Sequence, residues 1–399
     1  MAIVFALTVV LMQAAQAQTY TVLHNFTGGQ QDGQSPVAGL TMDKRGNLYG
    51  TTYYGGTTTN GEAFKLTRTG GGFVFSPLHS FGDSTDGLNP VSKLTIGPDG
   101  GLYGTTNIGV VGTGCGGLGC GIVFKVTLPP SVCKTASCAW NESVAYQLTG
   151  SQEGGYPDSA PIFDQNGNMF GALPGDICCG VIYELTPSGG SWTERVLYAF
   201  TGGSDGSVPD GGVIRDQAGN LYGVTYAGGT QDGGVVYQLV PAGSGWTENV
   251  LYKLDSASGT KPVGGLVFDQ AGNLYGTTTF GGANDDGTVF MLSPAGGTWT
   301  ATVLYNFPNG AEPSASLTLD AAGNLYGTTM FGGAHGTGSI FKLTHGSGWT
   351  YTSLKDFASD VHDGGLPSSD VIFDASGNLY GTAAKGGTGK AGVVWQITP

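Results

Sequence analysis

Apolar residues in this chain come in short runs, not at helical spacing. In 263–269, 273–278, 288–293 and 299–307, β-branched and aromatic residues fill windows of strand length, with Gly, Pro or Asn at the boundaries. Each window reads as a β-strand, and the four together read as one antiparallel unit. No stretch repeats its apolar positions with a helical period.

The unit recurs along the chain. GNLYG at Gly46, GGLYG at Gly100, GNMFG at Gly167, and GNLYG at Gly219, Gly272, Gly323 and Gly377 mark seven copies, at steps of 54, 67, 52, 53, 51 and 54 residues. The long step holds four of the six cysteines and reads as an insertion. An aspartate opens the turn before the motif in six copies, at Asp43, Asp164, Asp216, Asp269, Asp320 and Asp374. Such an Asp caps a tight turn while the Gly three residues on supplies positive φ, so these carboxylates are structural. The second copy has Gly97 there and Asp99 two residues later, which requires a different turn.

Four-stranded units of this length bury their faces only against one another, as the blades of a propeller do. The phase of the repeat fixes how the ring closes. The chain ends on a third-strand segment, Gly392 to Pro399, and a spare fourth-strand segment, Tyr20 to Phe26, stands at the other end, matching Trp192 to Phe200. The expectation is an all-β, seven-bladed β-propeller of four-stranded antiparallel blades, its ring closed by the N-terminal strand so that no terminal edge stays open. It forms a single domain over 18–399, with repeats at about 37–81, 91–148, 158–200, 210–254, 263–307, 314–357 and 368–399 plus 20–26.

Composition adds an address. With 74 glycines and only 11% charged residues, the 39% hydrophobic content is what marks the chain as folded. Fifteen Lys and Arg against 29 Asp and Glu give a net charge of −14, which repels phosphate backbones and anionic lipid, so nucleic acid is excluded as a partner. Residues 1–17 read as a signal peptide: an apolar run from Ala2 to Met12, too short to span a bilayer, then Ala15-Gln16-Ala17, with cleavage expected before Gln18. A secreted or periplasmic monomer without stable membrane insertion follows. Cysteines in close pairs, Cys115 with Cys120, Cys133 with Cys138, and Cys178 beside Cys179, suit disulfides in an exported protein.

The unit GNLYGTTxxGGxxxxGTVFKL resembles the GloVer tandem repeat of exported bacterial proteins, also called choice-of-anchor proteins, across residues 20–399. The copy from Gly272 to Leu292 agrees best, and the copy at Gly167 agrees least. The resemblance implies a repeat architecture and export, not one chemistry. With no anchor after Pro399, release from the cell is expected.

Candidate chemistry lies in the links between blades, where an acidic or polar residue, Gly, two variable residues and Pro recur. The first position reads Asp32, Asp86, Glu153, Asp205, Ser258, Asn309 and Asp363. These links should lie beside the mouth of the central channel, on the face that carries the Gly-Gly loops. Asp-Gly before Pro is also ordinary loop chemistry. Read functionally, a ring of carboxylates here (Asp32, Asp86, Glu153, Asp205, Asp363) binds calcium or a polar substrate, with further oxygen donors at Asn284-Asp285-Asp286 and Gln231-Asp232. Four charges break the small or apolar pattern of the innermost strands and are expected to line the channel: Lys93, Asp158, Asp210 and Asp370. His24 and His79 take the outer-strand place of Tyr198, Tyr252 and Tyr305 and read as structural. His335, in a Gly-Gly loop, and His362, beside Asp363, reach the same face as candidate base and orienting group.

Two functions follow. One is a secreted calcium-dependent hydrolase opening lactones such as N-acyl-homoserine lactones, with His335, His362 and Asp363 as catalytic residues, by analogy with lactone-opening propellers. The other is a noncatalytic propeller binding glycans or protein partners through Tyr53, Tyr54, Tyr226, Phe280 and Phe331. No GxSxG elbow, HExxH or phosphate loop occurs.

Overall fold

The computed structural model describes residues 18–30, 32–82, 85–109, 115–117, 119–128, 140–150, 154–175 and 179–399. It is a seven-bladed β-propeller. The fifth blade is representative: Val267–Phe268, Leu274–Thr278, Thr288–Ala295 and Thr298–Asn306 lie side by side, antiparallel and in chain order. The second strand, LYGTT, is buried along its whole length because a neighbouring blade covers each face. The fourth alternates exposed and half-buried residues at the rim. In blade two the first strand comes in two pieces, Leu88–Pro90 and Thr95–Ile96. Among the described residues, helix is confined to two 3₁₀ turns, Cys115–Gly117 and Thr230–Asp232.

Thr19–Asn25 pairs antiparallel with Val393–Thr398 and completes the sheet that holds Leu379–Ala383 and Ile372–Phe373. The spare strand thus becomes the outer strand of the last blade. Seven apolar clusters fill the seams between neighbouring blades. At the closing seam Phe26, Tyr380 and Val394 of the last blade meet Leu48 and Phe64 of the first, with Phe26 and Phe64 fully buried.

Two repeated contacts bind blade to blade. The Gly that opens each third strand packs on the Pro that opens the next blade, as Gly287 does on Pro313. At φ 92°, with a β-carbon placed only 2.8 Å from Pro313 Cδ, Gly287 admits no side chain. A threonine of the second strand donates to a carbonyl of the next blade's first strand: Thr51 to Ser92 at 3.0 Å, Thr277 to Ala315 at 3.1 Å, Thr328 to Ser369 at 2.9 Å, and across the closure Thr382 to Ala38 at 2.9 Å. Blades three and four carry Ala172 and Val224 in that place, so both lack this bond.

The turn aspartates do what the repeat implies. Asp269 Oδ1 accepts from the backbone N–H of Ala271 and Asn273, each at 2.9 Å, and Oδ2 accepts from Asn273 Nδ2 at 2.7 Å and Tyr275 OH at 3.0 Å. Burial pushes this carboxyl up, but the four donors together outweigh it and hold it below the usual carboxylate range. In blade two Asp99 takes over from the missing Asp, accepting from Gly101 N at 3.0 Å and Tyr103 OH at 2.9 Å.

Cys115 and Cys120 form a disulfide, and Cys179 is disulfide-bonded too. Cys133, Cys138, Cys178 and residues 1–17, expected to be a signal peptide, lie outside the described residues. No described helix is long and apolar enough to cross a membrane.

Candidate functional site: the axial channel

The first strands surround a central channel of about 910 Å³, and Lys93, Asp158, Asp210 and Asp370 all line it. Register explains how they meet. Asp158 and Asp210 each follow the Pro that opens blades three and four, where the other blades have Val or Ser. Equal positions on adjacent blades bring the two carboxyls within hydrogen-bond reach of each other. Burial raises Asp158 well above the usual carboxylate range, and the charge of Asp210 raises it further. Burial also raises Asp210, opposed by the hydrogen bond from Asp158 and by the N–H of Gly211 at 2.9 Å. Burial thus pushes both carboxyls towards their neutral forms, Asp158 the more strongly.

Lys93 and Asp370 stand two positions further along their strands, on blades two and seven. They meet across blade one, where the corresponding residue is Gly39: a β-carbon there would lie 1.7 Å from Asp370 Oδ1. Lys93 Nζ donates to Asp370 Oδ2 at 2.6 Å. The charge of Asp370 raises Lys93, outweighing the burial that pulls it down. Three buried polar atoms of the channel wall, Asp158 Oδ1, Ser159 Oγ and Ser314 Oγ, have no hydrogen-bond partner among the described residues.

The link carboxylates behave differently. Short ribbons, Gly33–Gln34 with Tyr54–Gly55 and Gly364–Gly365 with Lys385–Gly386, bond link to Gly-Gly loop and put both on one face. Yet each described carboxylate turns back into its own link. Asp32 accepts from Thr27 N at 2.9 Å, Thr27 Oγ1 at 2.7 Å and His24 Nε2 at 3.0 Å. Asp86 accepts from Gly82 N at 3.1 Å and His79 Nε2 at 2.8 Å. Asp205 accepts from Thr201 N at 2.8 Å, Thr201 Oγ1 at 2.6 Å and Tyr198 OH at 3.2 Å. Asp363 accepts from Ala358 N at 3.1 Å and pairs with Lys355 Nζ at 2.7 Å. A β-bulge in the fourth strand precedes each of His24, His79 and Tyr198, and bulges re-aim side chains. His24 and His79 are therefore structural, with the specific task of holding the link.

Each of these four carboxylates thus has donors within its own link, and Glu153 lies outside the described residues. Calcium takes about six to eight oxygens. Among the described residues no group of three or more His, Cys, Asp or Glu is placed to hold a metal ion. The further donors are occupied in their loops, Asp285 by Gly281 N at 3.0 Å and Asp232 by Gly228 N at 2.7 Å and Lys261 at 2.8 Å. His335 and His362 are exposed. The backbone of His362 donates to Asp360 at 2.7 Å, and no hydrogen bond joins the side chains of His335, His362 and Asp363. Tyr54, Phe280 and Phe331 are exposed beside the Gly-Gly loops, at 48%, 38% and 37%. Tyr53 stacks edge-on to Tyr54, and Lys261 sits over Tyr226.

One titratable group escaped the sequence reading. Glu62, fully buried, opens the third strand of blade one where blades five and six have Thr288 and Ser339 and the other four have Ile or Val. Ser80 Oγ donates to it at 3.1 Å, and burial pushes its carboxyl up to about 7. A charge in place of Thr, Ser, Ile or Val was the available signal.

Fold and site define a seven-bladed propeller with a charge-bearing axial channel. Family comparison makes this specific: the chain belongs to the Gloeobacter/Verrucomicrobia repeat family, whose model matches residues 7–175, 111–310 and 157–395. A search of curated proteins returned no match. Solved structures of similar fold include the extracellular domain of a one component system from B. thetaiotaomicron, with TM-score 0.57 and 13% identity, covering 94% of this chain and 40% of that one. An ulvan lyase bound to a GlcA-Rha3S ligand gives TM-score 0.56 and 11% identity, covering 92% of this chain and 94% of that one. A 6-phosphogluconolactonase from Bacteroides uniformis gives TM-score 0.52 and 13% identity, covering 92% and 90%. At these identities the likeness is one of fold.

Proposed function

We propose that the protein is an exported binding propeller whose axial channel takes one small polyhydroxylated ligand of the glycan class. The observation that carries this reading is the channel itself, a cavity of about 910 Å³ whose wall holds Lys93, Asp158, Asp210 and Asp370 together with Ser92, Ser316 and Ser368. The volume suits a small molecule. The glycan held by the ulvan lyase, on a similar fold, agrees with the reading. Titration calorimetry with a panel of mono- and disaccharides tests it. Binding that Ser316→Ala weakens is the expected result; no heat from any sugar, with no ligand retained in native mass spectrometry, counts against it.

A second reading, lactone hydrolysis, is favoured by the Asp158–Asp210 pair. Asp210 takes a proton from the water that attacks the lactone carbonyl carbon, while Asp158 gives its proton to the carbonyl oxygen. As the ring C–O bond breaks, Asp158 recovers a proton from the new hydroxyl and Asp210 delivers its own to the ring oxygen. A hydroxy acid leaves, and the pair again holds one proton. Calcium-dependent opening with His335 or His362 as base needs donors that the described residues do not bring together. Turnover of sugar lactones and N-acyl-homoserine lactones, with and without chelator, is the measurement. Background rates throughout remove the hydrolase.

A further inference from the structure

We infer that blade seven carries a second binding site, apart from the axial channel, for the anionic group of an acidic saccharide. A cavity of about 390 Å³ lies there between the link, at Ser359, Asp360 and Val361, and the Gly-Gly loop, at Lys385, Gly386 and Lys390. Backbone bonds fix its walls. Gly364–Gly365 pairs with Lys385–Gly386, Gly387 N donates to Asp360 O at 2.9 Å, and Thr388 N donates to Asn25 Oδ1 at 3.0 Å.

Both lysines are departures from the repeat. The residue before the Gly-Gly pair is Tyr54, Phe280 and Phe331 in blades one, five and six, and Lys385 in blade seven. Four residues after the first of these glycines stand Thr59, Asp232, Asp285 and Gly336 in blades one, four, five and six, all at positive φ, and Lys390 at φ 56° in blade seven. Asp232 and Asp285 use that place to accept the N–H of Gly228 and Gly281, which an ammonium cannot do. Lys390 therefore reverses the charge where its own loop gains nothing from it, at a left-handed φ uncommon for such a side chain.

Neither ammonium is engaged. Lys385 and Lys390 are exposed and form no ion pair with a described residue, whereas Lys355 is held by Asp363 at 2.7 Å. Asp360 is the one carboxylate among the described residues lining the cavity, and its Oδ1 accepts the N–H of His362 at 2.7 Å and of Asp363 at 3.2 Å. Two cations against one anion make the place locally positive in a chain of charge −14. The wider repulsion fades over about 8 Å at physiological ionic strength, so the near pair decides a contact. A densely charged polyanion remains repelled; a sugar chain with spaced charges does not. Val361, 47% exposed, supplies an apolar wall. By register, Phe331 of blade six and Tyr54 of blade one flank Lys385 with exposed rings that suit the apolar faces of sugars. Lysine is a point charge without a fixed fork, so carboxylate and sulfate suit it alike.

The full chain is titrated calorimetrically with trigalacturonate, its methyl ester, a sulfated neocarrabiose and triglutamate. At least one acidic sugar should bind about tenfold or more tightly than the ester. Trigalacturonate alone names a carboxylate ligand, and the neocarrabiose alone names a sulfate. Lys385→Tyr with Lys390→Asp restores residues that other blades carry, so the fold accepts both, and the acidic sugar should fall to the affinity of the ester on the same variant. Equal binding of the ester, or no binding of either acidic sugar, overturns the inference. Triglutamate bound as tightly as the sugars overturns the saccharide and assigns the site to acidic peptide. A preference that survives the double variant places the acid elsewhere and overturns the assignment to blade seven. Neutral sugars test the channel independently, so either reading can fail alone.

Discussion

The turn aspartates and the axial aspartates are one residue type under opposite conditions. Asp269 and Asp320 each accept two backbone N–H groups, an Asn side chain and a Tyr hydroxyl, and sit below the usual carboxylate range although burial opposes this. Asp158 and Asp210 have mainly each other, and burial drives both upward. Where duplication supplies a carboxylate, it supplies the donors with it. Where blades three and four depart at the channel, the two carboxyls arrive without such a set of donors. The turn carboxylates held in their charged form belong to the repeat, and the carboxyls that burial pushes up at the axis belong to its exceptions.

Substitution gives the largest expected contrast. Asp269→Ala leaves two backbone donors and a tyrosine hydroxyl unanswered and should lower stability by about 2–4 kcal/mol in urea unfolding. Asp158→Asn removes a repulsion as well as a hydrogen bond and should stay within about 1 kcal/mol of the parent. Equal losses at the two sites would break the comparison.

Dependence on pH sharpens it next. The turn carboxyls have folded values below their unfolded ones, so their stabilisation is present above the ordinary aspartate pKa and is lost as pH falls through the folded values. Glu62 runs the other way. Its folded value near 7 lies above the unfolded 4.5, so the fold holds a proton that the unfolded chain lacks, and stability falls as pH rises between those values. Glu62→Gln should match the parent at pH values near 4 and exceed it by on the order of 2 kcal/mol at about pH 8, read from melting curves.

Smaller effects are expected from the channel's ion pair and from calcium removal. Asp370→Asn should destabilise by less than about 1 kcal/mol, because the Lys93 side chain is 42% exposed and solvent screens the pair. Chelation of calcium should leave the melting temperature within about one degree, since a native-state ligand is needed for a larger shift. A clear drop would restore a metal to the links and overturn the separation drawn above.

The repeat makes most of the fold legible before any coordinates. Seven GNLYG-like motifs set the blade number, and the spare segment from Tyr20 to Phe26 sets the closure, because a period of about 50 residues leaves no other partner for it. The site was half legible. Lys93, Asp158, Asp210 and Asp370 stood out as charges on small, apolar strands, and they do line the channel. Their pairing needed register. Asp158 with Asp210 follows from equal positions on adjacent blades, whereas Lys93 with Asp370 depends on the gap left by Gly39 between them. The local partners of the link carboxylates were not legible, because sequence gives a residue's place but not its rotamer. Nothing in the spelling of Asp32 says that its oxygens turn back to Thr27 and His24.

The pairing of Thr19–Asn25 with Val393–Thr398 bears on how the molecule is made. Thr19–Asn25 emerges in synthesis long before its partner Val393–Thr398 and pairs only when that strand has appeared. Until then, blades can form locally and stack, but the circle stays unlatched, and joining its ends means closing nearly the whole chain as one loop. Such non-local closure is slow, and its entropic penalty grows only gently with length. The early strand must wait as an unpaired edge, and its Thr, His and Asn between apolar neighbours temper the hazard of mispairing. Once latched, no blade can peel from an end, so unfolding has to begin with the bond between the chain's two extremities or break a seam elsewhere.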